Sequence, residues 1–233
     1  AVREDVCGRA ASVQKEINFI LEREELTHAL YDLQQEGKLP LRVTHNDTKL
    51  NNVMLDDKTG KGICVIDLDT VMPGLAMNDF GDSIRFGAST ALEDETDLTK
   101  VSCSMELFEL YTKGFLKGCG GKLTSKEIEL MPMGAKTMTF ECGMRFLTDY
   151  LQGDKYFRIH REGHNLDRCR TQFKLVEDKR FEELKSHQFR QTALMQFQVR
   201  TDGNNGTARV VNTFTQQVLT EAALLTLEHV GKG

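Results

Sequence analysis

The stretch THNDTKLNNVMLDDKTGKGICVIDLD contains five polar residues whose types and spacing could carry out chemistry. His45, Asp47 and Asn52 follow the pattern H-x-D-x-x-x-x-N, and the later I-D-L-D contains Asp67 and Asp69. A carboxylate such as that of Asp47 can orient and deprotonate an attacking hydroxyl. The side-chain oxygens of Asn52, Asp67 and Asp69 are the kind of ligand that magnesium prefers. The stretch therefore predicts a general base beside a divalent-cation site.

A β-hairpin is the element that must bring these residues together. Residues 53–55 and 63–66 are short apolar runs, and the turn sequence between them contains Gly60. Asn52 comes just before the first run, and Asp67 comes just after the second. Because the two ends of an antiparallel hairpin meet, the side chains of Asn52 and Asp67 can converge on one ion.

Each part of this pattern has a structural explanation when it is taken alone. A single H-x-D occurs in surface turns, I-D-L-D occurs at strand edges, and Asp56 and Asp57 are typical turn residues. The joint occurrence of the parts is much more specific, because no structural requirement demands them together. H-x-D-x-x-x-x-N is also the spacing of loops that catalyse phosphoryl transfer. The pattern therefore predicts a phosphotransferase that uses ATP and magnesium.

Helices with one apolar face are predicted for most of the remaining chain. Residues 9–36 have apolar side chains at spacings of three and four, which predicts one helix. Further helices are expected over residues 105–118, over residues 124–153 and from Asn165 onward. Pro132 lies near the start of the second of these and could divide it. Together with the hairpin, these segments predict an α+β fold that is mostly helical.

Residues 188–233 differ from the rest of the chain. Two runs, residues 196–200 and 207–213, flank the turn sequence DGNNG and predict a second hairpin, which a helix at residues 218–227 follows. No motif in this tail can be assigned to chemistry. We therefore expect a helical catalytic lobe over residues 1–187 and a tail of unknown role after it.

Composition argues against several classes of function. The chain has 233 residues and a net charge of -5, whereas nucleic-acid-binding domains concentrate lysine and arginine. No apolar run approaches the roughly 20 residues of a membrane helix, and no secretory signal is visible. The six cysteines include no C-x-x-C pair, which favours free thiols. We expect a cytoplasmic protein that binds neither nucleic acid nor membranes.

The strings THNDTKLNNVMLD and VIDLDTVMPG resemble the aminoglycoside phosphotransferase and choline kinase superfamily, which shares the protein-kinase-like fold. With NDFGDSIRFG and ECGMRFLTDYLQGDKYF, they resemble more narrowly its N-acetylhexosamine 1-kinase branch. The resemblance covers roughly residues 39–179. It implies a kinase-like C-terminal lobe, with ATP and magnesium as cofactors. It also implies that the acceptor is the anomeric hydroxyl of an N-acetylhexosamine.

The resemblance implies a role for each matching residue of the first motif. Asp47 would be the base that faces the anomeric hydroxyl. Asn52 and Asp67 would be magnesium ligands, and Asp69 would be a weaker candidate for the same task. His45 would brace the loop rather than transfer protons.

Two residues of the helical part would contact the sugar, and these match Arg145 and Tyr156. From the residues alone, Arg145 is as readily a surface salt-bridge residue and Tyr156 a packed loop aromatic. Asp79, Asp82 and Arg85 either cap a helix and pair with each other or line the sugar site. We favour the structural role for these three.

The chain departs from the superfamily because no β-rich nucleotide lobe precedes Arg9, so this N-terminal lobe is expected to be missing. Alternatives therefore stay open: a truncated fragment, a non-catalytic kinase-derived domain that binds a sugar or a partner protein, or a choline or aminoglycoside kinase. A metal-dependent hydrolase using His45 is a weaker alternative, because such sites usually recruit more than one histidine. The complete set of Asp47, Asn52 and Asp67 argues against a long-standing loss of activity.

Overall fold

The computed structural model describes residues 1–178, 180, 197–201 and 208–212, and confirms the mostly helical α+β class. The helices are α1 (Gln14–Leu21), α2 (Glu25–Gln35), α3 (Ala76–Gly87), α4 (Met105–Gly118), α5 (Ser125–Leu151) and α6 (His164–Val176), beside short 3-10 turns. The strands are β1 (Arg42–Thr44), β2 (Val53–Leu55), β3 (Gly62–Val65), β4 (Met72–Gly74), β5 (Phe197–Thr201) and β6 (Ala208–Asn212). Within these described ranges, every helix is too short or too polar to cross a membrane.

The single helix expected over residues 9–36 is wrong, because the chain there forms a 3-10 turn followed by the separate helices α1 and α2. The break lies at the polar residues 22–24. Val13 and Ile17 before the break and Leu26 after it pack in one cluster with α5 and α6, whereas Leu30 packs in a second cluster beside the start of α3. Helix α2 therefore contributes to both clusters, and the apolar spacing continues across the break.

Two antiparallel strand pairs frame the motif residues. The hairpin expected from residue 53 to residue 66 is confirmed as β2–β3, in which Val53 faces Val65. A second pair, β1–β4, joins Thr44 to Met72 and has no counterpart in the sequence-based expectations. Because β1 precedes the hairpin and β4 follows it, their pairing closes residues 45–71 into one loop that contains the whole H-x-D and I-D-L-D pattern.

Helices α3 and α5 cross at two glycines, which lets their backbones approach closely. A Cβ atom placed on Gly134 would lie 2.5 Å from the carbonyl oxygen of Met77, and one placed on Gly81 would meet the carbonyl oxygen of Gly134. Buried side chains of both helices, among them Phe80 and Met131, share one core cluster with α4. The distance between α3 and α5 is therefore fixed by backbone contact.

Helix α5 begins with a capping box and continues through Pro132, so the division considered at that proline does not occur. The Thr124 hydroxyl accepts from the Glu127 N–H at 3.2 Å, and the Glu127 carboxylate accepts from the Thr124 N–H at 2.7 Å. Arg42 of β1 donates two more bonds to this carboxylate, at 2.8 and 2.7 Å. Burial raises the pKa of Glu127, but the bonds from Arg42 and Thr124 outweigh burial and lower it. This ion pair attaches β1 to the start of α5.

The second expected hairpin is confirmed as the antiparallel pair β5–β6, in which Phe197 pairs with Asn212. The helix expected at residues 218–227 lies outside the described residues, as does the boundary expected after residue 187. The division of the chain into a catalytic lobe and a tail therefore stays a prediction.

Replacing Gly134 by alanine should lower the free energy of unfolding by about 1–3 kcal/mol, because the added methyl group would press against Met77 at the α3–α5 crossing. Gly114→Ala is the matched control, since Gly114 is an exposed interior position of α4 with no atom within 4 Å of an added Cβ. The control should be stabilised by about 0.5–1 kcal/mol, because alanine favours helices over glycine. Chemical denaturation measures both changes, and equal stabilities would contradict the close crossing.

Candidate active site

The loop that carries Asp47 is attached to the first turn of α3 through Asp79. One carboxylate oxygen of Asp79 accepts the backbone N–H of His45 at 2.9 Å, and the other accepts that of Asn46 at 2.8 Å. The hydroxyl of Thr48 donates to the carbonyl oxygen of Asp79 at 2.5 Å. Asp79 is therefore structural, as favoured, but it holds the loop against α3, which differs from the helix cap and mutual pairing considered in the sequence.

His45 braces the same loop through both nitrogens of its ring. Its Nδ1 accepts the backbone N–H of Asp47 at 3.3 Å, and its Nε2 lies 2.9 Å from the carbonyl oxygen of Ile66. Because Nδ1 accepts, the ring proton lies on Nε2, from which it is donated to Ile66. The ring therefore links the loop to the end of the hairpin, as the resemblance implies, and both nitrogens are engaged in that link.

The segment after the hairpin returns to the loop at Thr70. The Asn46 side chain donates to the carbonyl oxygen of Thr70 at 2.9 Å, and the Thr70 hydroxyl donates to the carbonyl oxygen of His45 at 2.6 Å. Asn46 has a φ of 63°, a left-handed conformation that asparagine tolerates better than most residues. The loop and the segment that contains Asp67 and Asp69 are thus joined by reciprocal hydrogen bonds.

Asp47 is a partly buried carboxylate with two hydrogen-bond donors on one oxygen. Lys49 Nζ and Asn52 Nδ2 each lie 2.8 Å from its Oδ2. Burial alone would raise the pKa of Asp47. The hydrogen bonds from Lys49 and Asn52 outweigh burial, so the pKa of Asp47 lies below its ordinary value. The side chain is therefore a carboxylate at neutral pH and is able to accept a proton.

Asn52 is buried at the base of the hairpin. Its Nδ2 donates both to the Asp47 carboxylate and to the Asp47 carbonyl oxygen, at 2.8 Å each. The backbone carbonyl oxygen of Asn52 accepts the backbone N–H of Ile66 at 2.9 Å, so the two ends of the hairpin meet as expected. The amide nitrogen faces Asp47, which leaves the Oδ1 atom of Asn52 as the side-chain atom able to bind a cation.

Asp67 and Asp69 form an exposed pair of carboxylates directly after β3, where the chain leaves the hairpin. Asp67 has a left-handed backbone, with φ 64° and ψ 57°, and Asp69 lies in the 3-10 turn that follows. The neighbouring Asp69 carboxyl raises the pKa of Asp67, and the charge of Asp47 adds to the same effect. Two carboxylates that repel each other in this way are a site that a divalent cation would stabilise.

Among the described residues, the groups that could bind a divalent cation form only a partial metal site. In the part of the chain that the structure describes, no three acidic, histidine or cysteine side chains lie close enough together to hold a metal ion. Magnesium usually keeps several waters and binds through one or two carboxylates together with substrate phosphates. The Asp67 and Asp69 carboxylates and the Asn52 amide oxygen fit that kind of partial site.

The residues expected to bind the sugar line the same cavity as the expected base. This cavity has a volume of about 440 Å³, and its lining includes Asp47, Lys49, Arg145 and Tyr156. Arg145 Nη2 lies 3.4 Å from the Tyr156 hydroxyl, and its guanidinium lies 5.7 Å from the centre of the Tyr156 ring. Arg145 and Tyr156 are exposed, so both can meet a ligand. Their exposure favours a binding role over a packed loop aromatic and a surface salt-bridge residue, and that role stays a prediction.

Asp149 positions Tyr156 and was missed in the sequence. Its buried carboxylate accepts the backbone N–H groups of Lys155, Tyr156 and Phe157, at 2.8 to 2.9 Å. The side chain of Asn165 donates to the same carboxylate at 2.9 Å. An acidic residue in the last turn of a helix is disfavoured by the helix dipole, and that position is the signal that could have revealed Asp149.

Lys49 is a second residue that the sequence analysis left unassigned. It lies between the Asp and the Asn of the H-x-D-x-x-x-x-N pattern, and it forms the ion pair with Asp47. Its side chain is partly exposed and lines the cavity. A flexible ammonium beside the base can move to contact an incoming anion, and its place inside the motif is the signal that could have revealed it.

Asp82 and Arg85 pair with each other, as the favoured structural role requires, and they also line the cavity. Arg85 is buried, and it donates to Asp82 Oδ1 through Nε at 3.0 Å and through Nη2 at 2.8 Å. Its Nη1 donates to Glu93 at 2.7 Å. Burial opposes the charged form of Arg85, but the nearby acidic groups outweigh burial and raise its pKa. The two interpretations of Asp82 and Arg85 are therefore compatible.

Changing Asp79 to asparagine should loosen the loop, because an amide presents one acceptor oxygen where the two N–H groups of His45 and Asn46 need two. We expect amide hydrogen exchange at His45 and Asn46 to accelerate by about tenfold or more, and stability to fall by about 1–3 kcal/mol. Hydrogen exchange measured by NMR tests this. Asp57→Asn in the exposed hairpin turn is the control, and unchanged exchange at both amides in Asp79→Asn would refute the anchoring role.

Residues 1–100 match the model of a known family, described as the phosphotransferase enzyme family (APH). The matched segment contains the H-x-D-x-x-x-x-N loop, the hairpin, the I-D-L-D residues and Asp79. It ends before Arg145 and Tyr156, which carry the expected contacts to the sugar. The match therefore supports the aminoglycoside phosphotransferase and choline kinase superfamily and a kinase-type phosphotransferase, without reaching the N-acetylhexosamine kinase branch.

Proposed function

We propose that this chain is the catalytic part of an ATP- and magnesium-dependent phosphotransferase that acts on a hydroxyl of a small molecule. One observation carries the proposal. Asp47 lines the cavity that also contains Arg145 and Tyr156, and its carboxylate is bonded to Asn52 at the base of the hairpin. An acceptor in the cavity would thus meet the base on the side where the hairpin presents its carboxylates.

Asp47 is suited to be the base because its carboxylate is ionised at neutral pH and lines the cavity in which the acceptor would bind. Its Oδ1 atom has no hydrogen bond within the described residues, so it can accept the proton of an acceptor hydroxyl. Lys49 offsets its charge and can contact a phosphate oxygen. Asn52, Asp67 and Asp69 would hold magnesium, which neutralises phosphate charge when it is bound.

The cavity favours a polyhydroxylated acceptor over a cationic one. Recognition of choline requires open aromatic faces around the ammonium group. Here the guanidinium of Arg145 already lies 5.7 Å from the ring centre of Tyr156 and 5.5 Å from that of Phe157. A guanidinium and a tyrosine hydroxyl can instead donate to sugar hydroxyls and to an acetamido group. We therefore propose an N-acetylhexosamine, phosphorylated at its anomeric hydroxyl, as the acceptor.

The β2–β3 hairpin and its flanks carry apolar side chains that are exposed. Val43, Ile63 and Leu68 are 84%, 64% and 60% exposed. An apolar surface of this kind beside a catalytic loop fits contact with a nucleotide base and the polypeptide that holds it. The same surface would serve the alternative, a non-catalytic domain that binds a partner protein.

Asp47→Asn should lower kcat by roughly 10²–10⁴-fold, because it removes the base while keeping the size of the side chain. The assay is magnesium-dependent ATP consumption by the complete kinase, with N-acetylhexosamines, choline and aminoglycosides as acceptors. The unfolding temperature of the variant should stay close to that of the native protein. A variant that keeps most of its activity would remove Asp47 as the base. Failure of the native protein to consume ATP with any of these acceptors would favour the non-catalytic alternative.

Arg145→Ala should raise the KM for the sugar by about 10–100-fold and leave the KM for ATP nearly unchanged, because the guanidinium faces the acceptor cavity. Arg3→Ala, at an exposed position near the N-terminus, is the control. Steady-state kinetics with each substrate varied in turn separates the two effects. Equal changes in both KM values, or a preference for choline, would remove the sugar assignment and leave the phosphotransferase.

A further inference from the structure

A chain of four charged side chains joins α3 to α6 in the lining of the acceptor cavity. Arg85 binds Asp82 through two donors and Glu93 through a third, at 2.7 to 3.0 Å. The other oxygen of Glu93 lies 3.8 Å from Nε of Arg168 on α6. All four residues line the cavity that contains Asp47.

Each end of this chain has a polar atom without a hydrogen-bond partner. Both donors of Arg85 that reach Asp82 bind Oδ1, and Asp82 Oδ2 has no hydrogen-bond partner among the residues that the structure describes. In the same part of the chain, Nε of Arg168 has no hydrogen bond, although Glu93 is nearby. The Asp82 and Arg168 side chains are only 8% and 16% exposed, so bulk water does not hydrate these atoms freely. Buried polar groups without partners are rare in folded proteins and require an explanation.

We propose that Asp82 and Arg168 bind hydroxyl groups of the acceptor that do not react. This inference rests on the proposed function and identifies the residues that select its acceptor. A carboxylate oxygen can only accept, and a guanidinium N–H can only donate, so together they suit hydroxyls, which do both. A cationic acceptor would satisfy Asp82 and be repelled by Arg168.

The position of the chain supports selection of a ring with several hydroxyls. Asp82 lies on α3, Arg145 on α5 and Arg168 on α6, so the cavity presents polar groups from three helices. Arg85 is bonded to both Asp82 and Glu93, which holds the Asp82 carboxylate in one orientation before any ligand binds. A site whose polar groups are already oriented discriminates strongly against a ligand that lacks the matching hydroxyl.

Calorimetric titration of the whole chain with N-acetylglucosamine and its 3-, 4- and 6-deoxy analogues tests the proposal. Asp82→Asn keeps the size and the Oδ1 acceptor that Arg85 uses, but replaces Oδ2 by a donor. We expect this variant to bind the parent sugar at least about tenfold more weakly. The analogue that lacks the hydroxyl bound by Asp82 should bind the native chain more weakly by a similar factor. Asp82→Asn should bind this analogue and the parent sugar with equal affinity. Asp32→Asn, on the exposed surface of α2, is the control and should bind all four sugars as the native chain does.

Arg168→Lys is the second variant, because it keeps the charge and removes the Nε donor, and it guards against failure of Asp82→Asn to fold. Parent-sugar binding should weaken in it as well. Two results would overturn the inference and leave the acceptor assignment intact. One is that both variants bind the parent sugar with native affinity. The other is that, for every deoxy analogue, the loss of binding free energy from the missing hydroxyl adds to the loss caused by Asp82→Asn. A native chain that binds no N-acetylhexosamine would overturn both this inference and the proposed acceptor.

Discussion

The carboxylate of Asp79 lies in the first turn of α3, where the helix dipole favours a negative charge. Both of its oxygens accept backbone N–H groups of the loop. The loop in turn places Asp47, and the ring of His45 extends the connection to the end of the hairpin. Asp47, which we propose as the base, and the carboxylates after the hairpin are therefore both positioned by contacts to the N-terminus of α3.

Aspartates in three different environments surround the cavity and the hairpin. Asp47 has a cationic neighbour and a lowered pKa, which keep it ionised in the role that we propose for it. Asp67 has an anionic neighbour and a raised pKa, which suits the proposed binding of a divalent cation. Asp82 is buried against Arg85, which holds its carboxylate in one orientation. The neighbours of each aspartate thus determine which of the proposed roles it suits.

Sequence reasoning succeeded where the chemistry depends on residues close together in the chain. The hairpin between residues 53 and 66 and the meeting of its ends follow from local turn and strand signals. The pairing of β1 with β4 and the break at residues 22–24 depend on tertiary packing, which spacing does not record. The bonds of Asp149 with the following loop and of Arg85 with Glu93 join residues only six to eight positions apart, and they were missed because they depend on how each loop folds back onto its helix.

The α3–α5 crossing is the point at which packing and the site impose the same constraint. Gly81 lies two residues after Asp79 and directly before Asp82, and Gly134 lies opposite it on the helix that carries Arg145. A side chain at either glycine would separate the helices and move the base loop and the Asp82 carboxylate away from Arg145 together. Close backbone contact thus sets the width of the cavity in which we propose that the acceptor binds. Under that proposal, small residues at this crossing serve the site as well as the core.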